Sequence, residues 1–271
     1  MNDYSKYLII SDLDGTLINS EHVISKQNLA AINYFTEQGG RFAIATGRTI
    51  QNTRPFIKNL ELNGPCILYN GAAVYDFHNE RILGAELVEK ELLVNYINYC
   101  LDTFEQMVVE IFTPEGMYTV SPEGNVDEYV LREEQPFISA DLSEVLKKDW
   151  LKLLLNDKRD KLLEARRVFE KFGLSVSFDN VFSFEFYLEI LKKGISKGSA
   201  LHSMRKLEHF KGKTIIAVGD YDNDIEMIKL ADVGIAVENA SEDVKMAADM
   251  ITVSNDCHAI YEIIHKIIPE L

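Results

Sequence analysis

Aspartates gather in this sequence in two short clusters. Asp12 and Asp14 lie in Asp12-Leu13-Asp14-Gly15-Thr16, and three more fall in Gly219-Asp220-Tyr221-Asp222-Asn223-Asp224. A third polar cluster, Thr46-Gly47-Arg48, also follows an apolar run. Four or five carboxylates brought into one pocket repel one another and raise their own pKa values unless a cation shares the site. A hard divalent ion resolves that repulsion, and Mg2+ suits two carboxylates, a carbonyl and waters. Each cluster taken singly has a plainer reading. Asp-x-Asp-Gly is a common turn, Thr46-Gly47-Arg48 can cap the next helix, and Lys197 alone is an ordinary solvated lysine. Asp220-x-Asp222-x-Asp224 starts like a calcium loop, but Ile225 stands where that loop needs Gly and Ala231 where it needs Glu. The chain contains neither Gly-x-x-x-x-Gly-Lys-Ser/Thr nor Gly-x-Gly-x-x-Gly, so nucleotide-fold motifs do not compete.

The clusters act together only if the fold brings them to one place, and the elements before them have the pattern to do so. Tyr7-Leu8-Ile9-Ile10, Arg41 to Ala45, Cys66 to Tyr69, Thr214 to Val218 and Val233 to Val237 read as buried strands. Helical stretches separate them. One runs from Ser25 to Gln38, with Leu29, Ile32 and Phe35 on one face, Ser25 as N-cap and Gly39-Gly40 as its stop. Others are expected within Thr49 to Leu60, over Ser196 to Glu208 and over Asp224 to Leu230. This alternation predicts an α/β fold, a Rossmann-like doubly wound parallel sheet with its site at the carboxyl ends of the strands.

The rhythm breaks for about a hundred residues. A helix over Glu89 to Phe104 is followed by alternating runs at Met107 to Phe112 and Met117 to Val120, joined by Pro114-Glu115-Gly116. A strand from Trp150 to Leu155, a helix from Lys158 to Phe172 and a hairpin turning at Asp179-Asn180 repeat that order. The expected organisation is a discontinuous core of residues 1–82 and 188–271 with an inserted α+β domain over 83–187.

Composition narrows the function further. The 271 residues carry 28 Lys+Arg against 43 Asp+Glu, a net charge of −15. That balance argues against nucleic-acid and anionic-membrane partners, which require a basic face. Three cysteines without CxxC spacing fit reduced thiols, and no apolar run reaches the roughly 20 residues of a membrane span, so a cytoplasmic location is expected.

In order along the chain stand Asp12-Leu13-Asp14-Gly15-Thr16-Leu17, Thr46-Gly47-Arg48, Lys197-Gly198 and Gly219-Asp220-x-x-Asn223-Asp224-x-x-Met227. This set resembles the four motifs of the haloacid dehalogenase superfamily. It is most similar to the Cof-type phosphatases, which carry a type IIB cap between the second and third motifs. Asn70-Gly71-Ala72, Gly194-Ile195-Ser196-Lys197-Gly198 and Val237-Glu238-Asn239-Ala240 add to the likeness, whereas Cys257-His258 departs from the Gly-Val of relatives.

The resemblance implies Asp12 as nucleophile, forming an aspartyl-phosphate, and Asp14 as the acid that protonates the leaving alcohol and then deprotonates water. It implies Mg2+ held by Asp12, the main-chain carbonyl of Asp14 and Asp220, with Asp224 acting through water or by orienting its neighbours. Thr46, Gly47, the amide of Leu13, Lys197 and Asn223 would hold the phosphoryl oxygens. Arg48 would join them or serve the structure. The implied activity is hydrolysis of a small phosphorylated metabolite, first of all a sugar phosphate. Phosphohexomutase-like transfer and a non-enzymatic phosphate- or Mg2+-sensing module are the alternatives, and the oligomeric state is left open.

Overall fold

The computed structural model describes residues 3–132 and 134–271. In it β1 (Tyr7–Asp12) is buried at all six positions, as a strand covered on both faces must be. β2 (Arg41–Ala45) and β3 (Cys66–Leu68) follow on one side, and β4 (Ala73–Asp76) and β5 (Arg81–Ala85) extend the same sheet outward. A second sheet takes the next six strands. They are β6 (Val108–Thr113), β7 (Gly116–Val120), β8 (Ile138–Ser139), β9 (Lys152–Asn156), β10 (Phe178–Phe184) and β11 (Tyr187–Lys192), ordered β10-β11-β9-β6-β7-β8. The chain then returns to the first sheet through β12 (Thr214–Gly219), β13 (Val233–Ala236) and β14 (Met250–Ile251). Its order is β14-β13-β12-β1-β2-β3-β4-β5.

β1 pairs in parallel with β2 on one side (Asp12 opposite Ala45) and with β12 on the other (Ser11 opposite Val218). The strand order reverses at β1, the point where open α/β sheets place their ligands. Six strands, β14 to β3, are parallel, as the alternation predicts. β4 differs and runs antiparallel to β3, with Ile67 opposite Val74. The reversal is made by Tyr69-Asn70-Gly71, three successive residues at φ +52, +54 and +102. A Cβ on Gly71 would lie 2.1 Å from the carbonyl oxygen of Ser196, so only glycine fits there. Positive φ at a tyrosine is not readable from composition, and the hairpin was therefore not expected.

Capping follows the expected chemistry. Ser25 Oγ accepts from the Asn28 amide to start the helix Lys26–Glu37, which buries Asn28, Ala31, Ile32 and Phe35. Ser196 Oγ accepts from the Ser199 amide, and Ser199 Oγ from the Ser196 amide, so a capping box opens the helix Lys197–Met204.

The chain divides into two compact units. The first takes residues up to Arg48, Thr53–Gly84 and Ser196–Leu271; the second takes Thr49–Asn52 and Ala85–Ile195. The second has its own core, in which Tyr96, Ile97 and Cys100 of the helix Val94–Thr103 and Leu162, Ala165 and Phe169 of the helix Arg159–Lys171 join Val109, Ile111, Leu153, Leu155, Leu188 and Ile190. Side chains alternate across a strand, so Glu110 lies on the opposite face, in register with Leu154, which is opposite Glu189. Lys152 pairs with Glu189 at 2.8 Å there, both almost fully buried, and Tyr187 donates to the Asp127 carboxylate. Glu110 is 2% exposed, and its Oε1 has no hydrogen-bond partner among the described residues.

Asp179-Asn180 lies inside β10, not at its turn; the hairpin closes between Phe184 and Tyr187. The Asp179 carboxylate instead accepts from the Gly194 amide and pairs with Lys193, so a turn-type residue serves a neighbouring loop. Among the described residues no helix is long and apolar enough to cross a membrane.

Candidate active site

Asp12 is the last residue of β1, and its neighbours at the same sheet edge follow β2 and β12. The chain turns sharply after it, with the Leu13 carbonyl accepting from the amides of both Leu17 and Ile18. Within this turn Gly15 has φ +78, and a Cβ on it would come 2.5 Å from Asp220 Oδ2. A side chain at that position would therefore displace the carboxylate delivered by β12.

Lys197, the first residue of its helix, is 1% exposed. Its ammonium donates to Asp12 Oδ1 at 2.6 Å and to Asp224 Oδ1 at 2.7 Å. Asp224 Oδ2 in turn accepts from the amides of Asp220 and Tyr221, at 3.0 and 3.2 Å. Thr16, wholly buried, donates to Asp220 Oδ1 at 2.7 Å. Both oxygens of Asp224 are thus committed to protein donors. Asp12 Oδ2 and Asp220 Oδ2 are the oxygens that these bonds leave over.

Asp12, Asp220 and Asp224 bring carboxylate oxygens within 4.8 Å of one another. Three carboxylates against one ammonium leave two negative charges in excess. Burial, and then the neighbouring Asp224, Asp220 and Asp14, push the Asp12 carboxyl well above its usual range, with Lys197 opposing them. Asp220 is pushed up to about 6 by burial and by Asp224, against Thr16 and Lys197. For Lys197, burial works against the ammonium, but Asp12 and Asp224 outweigh it and hold its pKa above the ordinary lysine value. An all-oxygen, anionic donor set of this kind fits a hard divalent cation and would suit a soft one poorly.

Asp14 stands apart from that trio. Its side chain is 48% exposed, and Arg48 grips both carboxylate oxygens, Nε to Oδ2 and Nη2 to Oδ1, each at 2.7 Å. The Arg48 guanidinium also lies 4.3 Å from the centre of the Phe56 ring, which fixes its plane. Thr46 is buried, and its Oγ1 accepts from the Arg48 amide, leaving the hydroxyl hydrogen to donate. Gly47 lies against the side-chain amide of Asn70. Asn223 donates to Asn70 Oδ1 at 3.0 Å.

Three contributors stand in motifs that sequence reasoning quoted without giving them a role. Thr16 orients Asp220, Asn70 receives Asn223, and Asn239 donates to the Gly15 carbonyl at 2.8 Å while accepting from the Asn255 amide. All three stand inside motifs quoted for the resemblance, and that membership was the available signal. Of Cys257-His258, His258 has φ +64 and its Nδ1 lies 3.0 Å from Oγ of Ser25, the cap of the helix Lys26–Glu37.

The sequence model of a family described as haloacid dehalogenase-like hydrolase matches residues 9–264. The 5-amino-6-(5-phospho-D-ribitylamino)uracil phosphatase YcsE of Bacillus subtilis (strain 168) is 30% identical over 253 residues, which cover 92% of this chain and 90% of that protein. The pyridoxal phosphate phosphatase YbhA of Escherichia coli (strain K12) is 26% identical, over 96% of this chain and 97% of that one. Among solved structures, a haloacid dehalogenase-like hydrolase from Bacteroides thetaiotaomicron superposes with a TM-score of 0.82 at 29% identity, covering 96% of this chain and 99% of that one.

Proposed function

Because the chain belongs to the haloacid dehalogenase-like hydrolases, we propose that it is a Mg2+-dependent phosphatase that hydrolyses a small phosphorylated metabolite through an aspartyl-phosphate on Asp12. A sugar or polyol phosphate is the class favoured. The observation that carries the reading is the buried Lys197 ammonium, shared between Asp12 and Asp224 beside Asp220. Relatives named for a phospho-D-ribityl compound and for pyridoxal phosphate support a small phosphorylated substrate. The net charge of −15 speaks against a polyanionic partner, and the free thiols Cys66, Cys100 and Cys257 support a reducing, cytoplasmic setting.

In this mechanism Asp12 attacks phosphorus in line with the leaving oxygen, and the leaving alcohol takes its proton from Asp14. Arg48 grips both Asp14 oxygens here, the arrangement of an ionised carboxylate, so for the acid step one of those two bonds has to open and the oxygen it frees carries the proton. In the second half Asp14 receives a proton from water as the water attacks the aspartyl-phosphate, which releases orthophosphate and restores Asp12. The Lys197 ammonium, the Thr46 hydroxyl, the Asn223 amide and the main-chain amide of Leu13 hold the phosphoryl oxygens on which charge develops. Asp12, the main-chain carbonyl of Asp14 and Asp220 would hold Mg2+, which when bound supplies Lewis-acid stabilisation of that charge.

Orthophosphate release from p-nitrophenyl phosphate and from a panel of sugar and polyol phosphates tests the reading. Release should require Mg2+, and Asp12→Asn should abolish it. Equal turnover by Asp12→Asn, or isomer formation exceeding phosphate release, would refute hydrolysis through Asp12.

A further inference from the structure

Asn70 stands where three segments of the proposed site meet. Its amide donates to the Thr46 carbonyl at 3.1 Å, and the Tyr69 amide donates to the Arg48 carbonyl at 3.2 Å, which ties the β3 end to the loop after β2. The next residue, Gly71, abuts Ser196 at the start of the Lys197 helix. The Asn70 side chain is 4% exposed, packs on Gly47, and accepts through Oδ1 from Asn223 Nδ2 at 3.0 Å. Its backbone is left-handed, φ 54 and ψ 32, a conformation that disfavours residues with a Cβ but that asparagine tolerates best among them.

We propose that Asn70 is a positioning residue that acts through Asn223 to set the affinity for the phosphoryl group. A side-chain amide carries two N–H donors in one plane. Once Asn70 Oδ1 takes one, the direction of the other is fixed, and Asn223 is prepaid in orientation for a phosphoryl oxygen. Asn70 does not touch the substrate in this arrangement; it removes the rotamer freedom that Asn223 would otherwise lose on binding. The left-handed turn is what brings so short a side chain to Asn223, and it explains why asparagine stands beside a glycine at this reversal. The inference rests on the reading of Asn223 as a phosphoryl ligand.

Asn70→Gly keeps the backbone conformation and deletes the acceptor together with the side-chain packing on Gly47, so it separates the side chain from the turn. The probe is inorganic phosphate as a competitive inhibitor of p-nitrophenyl phosphate hydrolysis, measured for Asn70→Gly, Asn223→Ala and the double variant, with thermal midpoints for all three. Asn70→Gly should weaken orthophosphate inhibition severalfold, up to about tenfold, the cost of ordering one side chain on binding, while its midpoint stays within a few degrees of the parent. Asn223→Ala should weaken inhibition at least as much, and the double variant no more than Asn223→Ala alone. Unchanged inhibition in Asn70→Gly, multiplying losses in the double variant, or a large fall in midpoint without a change in inhibition each overturns the proposal. Unchanged inhibition in Asn223→Ala removes the Asn223 assignment and the inference with it, leaving hydrolysis through Asp12 to stand or fall on its own test.

Discussion

Glu110→Gln should make the protein more stable at pH 8 while changing little at pH 5. Burial first, and then Asp127 and Glu189, raise the Glu110 carboxyl from the ordinary glutamate value of 4.5 to about 8, with Lys152 opposing them. Lys152 already serves Glu189 at 2.8 Å, so its charge offsets the burial of Glu110 only in part. The folded chain therefore holds this proton between pH 4.5 and 8, where the unfolded chain releases it. Protons bound in excess by the folded state make stability fall as pH rises. Below 4.5 both states are protonated and the group costs nothing. Above 8 a charged carboxylate is buried, and a shift of about three to four units at 1.36 kcal/mol each amounts to about 5 kcal/mol. Glutamine occupies nearly the same volume and cannot ionise. Urea denaturation of parent and variant at pH 5 and pH 8 measures the effect. The stability difference between the two proteins should grow by several kcal/mol between those values, and any pH-independent cost of the new amide cancels in the subtraction. A difference that stays constant with pH would refute the reasoning, because it would mean that Glu110 is ionised in the folded protein at pH 5.

Other outcomes follow from the site. Lys197→Met leaves Asp12 and Asp224 buried without their cation and should cost about 3–5 kcal/mol in urea denaturation, together with the loss of phosphatase activity. Asp14→Asn should depress kcat about 10²–10⁴-fold for both an alkyl phosphate and p-nitrophenyl phosphate, because both need the water-activating half; a pre-steady-state burst of p-nitrophenolate, whose release needs no proton, should survive in the variant while the alkyl phosphate gives no burst, and bursts from both would remove Asp14 from its acid role. Chelation should abolish turnover and added Mg2+ should restore it. Mg2+ at a hundred times its dissociation constant should also stabilise the fold by about 2.7 kcal/mol, read as a rise in thermal midpoint.

Much of this was legible because buried parallel strands announce themselves. Tyr7 to Ile10, Phe42 to Ala45 and Ile215 to Val218 are unbroken apolar runs, and the polar residues that end them fall at one edge. Ser25 could be read as a cap because its side chain does the capping locally. Asp179-Asn180 misled for the opposite reason: turn chemistry is local, whereas the partners of Asp179 lie at Lys193 and Gly194. The reversal at Tyr69-Asn70 depends on left-handed conformations that tertiary packing enforces. Glu110 was invisible as a titrating group, since its alternating position in β6 carries no sign of how deeply the strand is covered.

The pairing of β1 with β12 has a consequence for how the protein comes into being. Tyr7 meets Thr214, so the central ladder of the sheet joins segments about 200 residues apart, a long loop to close. As the chain is synthesised, β1 and β2 are available early, and the whole of Ala85–Ile195 emerges before β12 exists. Until then one edge of β1 has no strand to pair with, a state open to association with other chains. Asp12 waits at the end of that strand without Lys197, Asp220 or Asp224. Chemistry is thereby tied to completion: a fragment that stops short of Lys197 carries the proposed nucleophile but lacks its counter-cation and the second carboxylate, and should be inert.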